Sequence, residues 1–145
     1  MIAIGSDHGG YLLKEEIKKH LEEKGYEFKD FGTDSTASCD YPVYAEKVCR
    51  AIQSGECEKG ILVCGTGIGM SMCANKCKGI RAAVCGDHFS AEFTRKHNNA
   101  NVLCLGARVI GSGVALQLVD IFLTTEFEGG RHEKRIEMMM ELENK

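Results

Sequence analysis

Residues 61–75 read Ile61-Leu62-Val63-Cys64-Gly65-Thr66-Gly67-Ile68-Gly69-Met70-Ser71-Met72-Cys73-Ala74-Asn75. The opening run is apolar without polar alternation, the pattern of a buried parallel strand. Three glycines at alternate positions follow, then a helix-forming segment. Glycine lets the backbone take positive φ and approach a ligand closely. The segment after it aims unpaired N–H groups at whatever sits above the strand, a ready place for an anion. Cys64 stands at the rim of that place, where a helix terminus favours the thiolate and so a base or nucleophile. A turn of this kind also occurs for packing alone. It is neither a Walker A loop, since no Gly-Lys-Ser/Thr follows, nor a good dinucleotide fingerprint. Its spacing, with Cys in front and Thr inside, suggests a small phosphorylated or oxyanionic ligand.

Working outward, strands and helices alternate. Met1–Gly5 is predicted as a first strand and residues 10–24 as a helix, with Leu13, Ile17 and Leu21 on one face and Gly25 as its stop. Tyr26–Phe31 reads as a second, less apolar strand nearer an edge, and 32–41 as a polar loop. Pro42 opens a helix to about Ser54. Gly60–Cys64 is the third strand and 68–77 the third helix. Strands at Ile80–Cys85 and Val102–Leu105 enclose a helix over 89–97. Helices over Gly111–Leu123 and Arg131–Leu142 complete the chain. This rhythm predicts a three-layer α/β/α, Rossmann-like fold with a five-stranded parallel sheet, in one domain spanning 1–145. Ligands in such sheets sit beyond the carboxyl ends of the strands.

Composition agrees with a globular chain: 145 residues, 43% hydrophobic, 27% charged, net charge −3. No basic run argues for nucleic acid, no apolar run suits a membrane span, and Met1-Ile2-Ala3-Ile4-Gly5 has no signal-peptide pattern. A cytoplasmic enzyme or binding protein is expected. The eight cysteines include no Cys-x-x-Cys. Cys73 and Cys77 lack partners to complete a zinc set, so no metal is expected.

Three turns at the expected ligand end carry reactive groups: Asp7-His8, Cys64-Thr66 and Asp87-His88. Asp7 serves either as a helix cap or as a carboxylate facing Cys64, since the first and third turns can be neighbours. His97 ends a helix, where the dipole alone can explain it. Arg108, Arg131 and Arg135 are phosphate candidates. The last two are four apart and point one way, able to grip a phosphate or simply to face solvent beside Glu133 and Glu137. The Met138–Met140 cluster cannot all face one small core, and part of it is expected to pack on a partner subunit or to fill gaps.

Ile4-Gly5-Ser6-Asp7-His8-Gly9-Gly10, Asp40-Tyr41-Pro42, Cys64-Gly65-Thr66-Gly67-Ile68-Gly69, Ala74-Asn75-Lys76, His97-Asn98, Gly106-Ala107-Arg108-Val109 and Glu128-Gly129-Gly130-Arg131-His132 together resemble the ribose/galactose sugar-phosphate isomerase family, ribose-5-phosphate isomerases of type B included. The resemblance implies an aldose–ketose isomerase acting on ribose 5-phosphate without metal or organic cofactor. In that likeness Cys64 matches the proton-transferring base. Thr66 and the backbone of Gly65, Gly67, Ile68 and Gly69 match the enediolate site. His97 matches the ring-opening group, with Asp7 assisting. His8, Arg131 and Arg135 match the phosphate set, and Asn98 and Arg108 further substrate contacts. A branch with glycine at the Cys64 position and a glutamate base at the Met70 position is excluded by Cys64 and Met70. The family places its pocket between two subunits, so a homodimer with a shared site is implied, with a tetramer left open. A six-carbon substrate (allose 6-phosphate or galactose 6-phosphate) and a non-catalytic sugar-phosphate sensor are the alternatives. His88 and the turn Asn98-Asn99-Ala100-Asn101 have no reading at this stage.

Overall fold

A computed structural model describes residues 1–145. Five strands, β1 (Ile2–Ser6), β2 (Phe28–Asp30), β3 (Lys59–Cys64), β4 (Ala82–Val84) and β5 (Val102–Gly106), alternate with six helices. These are α1 (Tyr11–Glu23), α2 (Tyr41–Gln53), α3 (Ile68–Ala74), α4 (His88–Lys96), α5 (Ser112–Thr124) and α6 (Arg131–Glu141), with a 3-10 turn at Leu142–Asn144. The sheet is wholly parallel, in the order β2-β1-β3-β5-β4. The first and third strand ends are therefore neighbours, and Ser6 lies opposite Val63. The three-layer α/β/α fold is the one expected.

The central strands are apolar throughout because both faces are covered. On one face Ile4, Ile61, Val63, Leu103 and Leu105 pack against Leu13 and Ile17 of α1, Ala91 of α4 and Leu118 and Phe122 of α5. On the other, Ala3, Leu62, Cys64, Val102 and Cys104 pack against Ala45, Val48 and Cys49 of α2 and Met70 and Ala74 of α3. No helix is long and apolar enough to cross a membrane.

The differences from expectation lie at element ends. β2 and β4 are three residues each, shorter than expected, because each is an edge with one neighbour and carries less pairing. α3 stops at Ala74 rather than at 77. There the Asn75 side chain pairs with edge strand β4, its Oδ1 accepting from the Ala82 amide at 2.8 Å and its Nδ2 donating to the Ala82 carbonyl at 2.9 Å. α6 buries none of its residues.

Candidate active site

The glycine turn after β3 forms a cradle at the carboxyl end of the sheet. Gly67 takes φ +80°, and a β-carbon there would lie 3.0 Å from the Leu105 carbonyl carbon. The turn therefore lies flat on β5 in a conformation glycine supplies without strain. This bend aims the Gly67 amide back at Cys64, whose Sγ accepts it at 3.1 Å. Thr66 Oγ1 accepts from the Ile68 amide at 3.2 Å. The amides of Gly65, Thr66, Gly69 and Met70 have no acceptor within the chain. Cys64 is buried at 6% exposure, and the exposed Thr66 and Ile68 frame the opening.

Three neighbours complete this half. Asp7, 8% exposed, accepts the Gly10 amide on Oδ1 at 3.0 Å, so the capping reading holds for one oxygen. His8 Nδ1 accepts the Cys39 amide at 3.2 Å. That bond commits Nδ1 as an acceptor, so a neutral ring carries its proton on Nε2. Arg108 covers the cradle: a β-carbon on Gly65 would lie 3.6 Å from its Nη1, and one on Gly9 would lie 3.7 Å from its Nη2. Its guanidinium meets no carboxylate. An unpaired cation above unpaired amides is complementary to an anion. Tyr41 is a neighbour that residue-by-residue reading did not single out as part of the site. A β-carbon on Gly69 would lie 2.7 Å from the Tyr41 ring. Its only signal in the sequence was the Asp40-Tyr41-Pro42 motif.

The other expected residues are elsewhere. His97 follows α4, which runs back from the carboxyl end of β4, and so lies at the amino end of the sheet. Gly60, second in β3, is opposite Val102, which opens β5, whereas Cys64, closing β3, is opposite Gly106. With about 3.3 Å of rise per residue, His97 and Cys64 of one chain stand on the order of 15 Å apart. His97 belongs to a second constellation. Its ring stacks on His132 with centroids 4.0 Å apart and planes at 12°, meets the edge of Phe93, and brings Nε2 to 3.3 Å from Glu128 Oε1. Burial, the His97 ring and the Arg131 guanidinium all push the His132 pKa down. Asn98, Arg131 and Arg135 are exposed beside this group. Both arginines face solvent, and neither pairs with Glu133 or Glu137.

Donor atoms of His97, Glu128 and His132 lie within 4.8 Å of one another, the spacing a metal needs. The two rings are nearly parallel, however, so their in-plane lone pairs run side by side instead of converging on a point. Asp87 and His88 are explained locally. Asp87 caps α4 by accepting the Ser90 amide at 2.7 Å, and the exposed His88 faces Glu92 one turn on.

A sequence profile of the Ribose/Galactose Isomerase family matches residues 2–139. The chain belongs to this family. It is 49% identical over 144 residues to ribose-5-phosphate isomerase B of Escherichia coli, covering 99% of this chain and 97% of that one. A solved ribose-5-phosphate isomerase B of Clostridium thermocellum superposes with a TM-score of 0.97 at 53% identity, over 99% of this chain and 97% of that one. A type B enzyme of Mycoplasma genitalium with bound ribulose-5-phosphate superposes with a TM-score of 0.94 at 41% identity, over 99% and 96%. Family membership makes the chain an isomerase.

Proposed function

We propose that the chain interconverts D-ribose 5-phosphate and D-ribulose 5-phosphate through an enediolate, with Cys64 as the base, in a site shared by two copies. The observation that carries this reading is the Cys64 sulfur held at 3.1 Å from the Gly67 amide, inside a ring of unpaired amides under Arg108. A proton α to a carbonyl is a weak acid. Removing it needs a close base and a fixed place for negative charge, and residues 64–70 combine both in one turn.

The steps follow from the residues. His97 of the second copy opens the furanose ring, transferring a proton between the ring oxygen and the anomeric hydroxyl. Glu128 beside it orients the imidazole. The Cys64 thiolate takes the C2 proton of the open aldehyde. The electron pair moves onto O1, which the cradle amides and the Thr66 hydroxyl hold. The thiol then returns its proton to C1, while the O2 proton passes to O1 and leaves the ketone. Asp7, whose second oxygen is uncommitted, and Asn98 hold sugar hydroxyls. His8 Nε2, Arg108, Arg131 and Arg135 provide the cationic and donor groups for the phosphate. No step requires a metal or organic cofactor.

The relatives' names support the choice of a pentose phosphate, and the separation of the two constellations within one chain supports the shared site. The test is turnover of ribose 5-phosphate by Cys64→Ala, set against five- and six-carbon alternatives on the wild type. Loss of at least about 10²–10⁴-fold, with inorganic phosphate still binding, is expected. Near-full turnover removes Cys64 from the mechanism. Wild-type turnover is expected to survive exhaustive chelation, and a loss restored by added divalent ion would contradict the cofactor-free route.

A further inference from the structure

Arg95 is 7% exposed and has no carboxylate partner. Burial pushes its pKa down, an unfavourable setting for a cation that serves packing alone. Its hydrogen bonds go to two segments remote from each other in sequence. Nη1 donates to the Ala100 carbonyl at 2.7 Å and to Asn99 Oδ1 at 2.9 Å, and Nε donates to the Thr125 carbonyl at 3.1 Å. The first two belong to the turn that follows His97, and the third begins the stretch that carries Glu128. The Phe122 ring lies 5.7 Å from the guanidinium carbon and helps hold the fork in place. Only a planar fork with several donors can bridge both segments at once.

The turn needs such a hold. Asn99 has φ +46°, a conformation that costs a non-glycine residue energy. Arg81 holds the same turn through the Asn98 and Asn99 carbonyls, but makes no hydrogen bond to the Thr125 segment. Apart from the His97–Glu128 pair itself, the other bond joining the His97 and Glu128 stretches is the Glu128 amide on the Lys96 carbonyl at 3.1 Å.

We propose that Arg95 is a positioning residue for His97: by tying Asn99 and Ala100 to Thr125 it fixes the His97 imidazole against Glu128. This rests on the reading of His97 as the ring-opening group. Arg95 touches no substrate and acts through that ring.

The test separates ring opening from proton transfer. Ribose 5-phosphate must open its ring before it can react. Ribulose 5-phosphate has its O5 phosphorylated and is already open, so deuterium wash-in at its C1 from D2O reports the enediolate step alone. Arg95→Lys keeps the charge but can reach only one segment. Its ribose 5-phosphate turnover is expected to fall on the order of 10²-fold, the scale of a misplaced catalytic group, while C1 wash-in stays within about threefold. His97→Ala is the reference and shows the same split. If His97→Ala splits the two rates and Arg95→Lys leaves both intact or lowers both together, the proposal is wrong. If His97→Ala itself lowers both together, the reading of His97 fails instead. Should Arg95→Lys not fold, Asn99→Gly removes the side-chain anchor while accepting the positive φ. The same split, smaller in size, supports the proposal, and two unchanged rates overturn it.

Discussion

Gly67 joins fold to chemistry through a single backbone conformation. Alanine there would need φ +80° and would bring its β-carbon to 3.0 Å from the Leu105 backbone. Left-handed strain costs about 1–3 kcal/mol, and relieving it swings the amide away from the Cys64 sulfur. Gly67→Ala is expected to melt several degrees lower and to lose about 10²-fold in turnover, as enzymes do when one preorganised donor is removed. Calorimetry and the isomerase assay check the two parts. A variant that loses stability yet turns over normally would show that the Gly67 amide is not needed by the reaction. At this scale the sequence was informative about which residues matter and about the local Asp7 cap, and silent about the contacts that close over the cradle. The alternation of glycine with Cys, Thr and Ile announced a cradle. That Tyr41 closes over Gly69 and Arg108 over Gly65 depends on contacts across chain segments that no local pattern encodes.

The first helix and the second strand are held together by a buried charge. Lys14 is fully buried, with Nζ 2.7 Å from both Asp30 oxygens and from the Thr33 carbonyl. Burial alone would raise the Asp30 pKa. Hydrogen bonds from Lys14, the Gly32 amide and Lys18 outweigh it and hold that pKa below the usual value. The stabilisation is therefore complete above the ordinary carboxylate pKa of about 4 and disappears as the pH falls through the lower folded value. Asp30→Asn is expected to cost about 3 kcal/mol at pH 7, the low end for stripping a buried charge of its partner. Melts of both proteins from pH 7 to pH 3 check this: the wild-type advantage shrinks only below about pH 4. An advantage already gone at pH 6 would mean that the pair is not what stabilises the junction. Elements were legible wherever an apolar period was long, as in α1, α2 and α5. They blurred at the edges of the sheet, where β2 and β4 owe their length to pairing, and at the end of α3, where the Asn75 side chain substitutes for a strand.

In the whole molecule, the two groups of site residues lie at opposite ends of one sheet. Leu12, Ile68, Met72, Phe89 and Val109 are between 49% and 68% exposed. Each lies in the segment that follows the carboxyl end of a strand, so the connections on the cradle's side of the sheet carry exposed apolar side chains. Apolar exposure of this kind marks a protein interface. α6, eleven residues with none buried, is shorter than a helix that holds by itself. The proposed second copy would cover it too. Linear order alone could not show this, because α4 carries His97 away from the ligand end while leaving it adjacent in every motif. The most direct test of a site shared between two copies is complementation. Cys64→Ala and His97→Ala are each expected to be inactive alone. Mixed in equal amounts, unfolded and refolded together, they form heterodimers with one intact site and one doubly damaged site. About a quarter of wild-type turnover then returns for a randomly assorted two-fold dimer. A mixture that stays as inactive as its components would contradict the account.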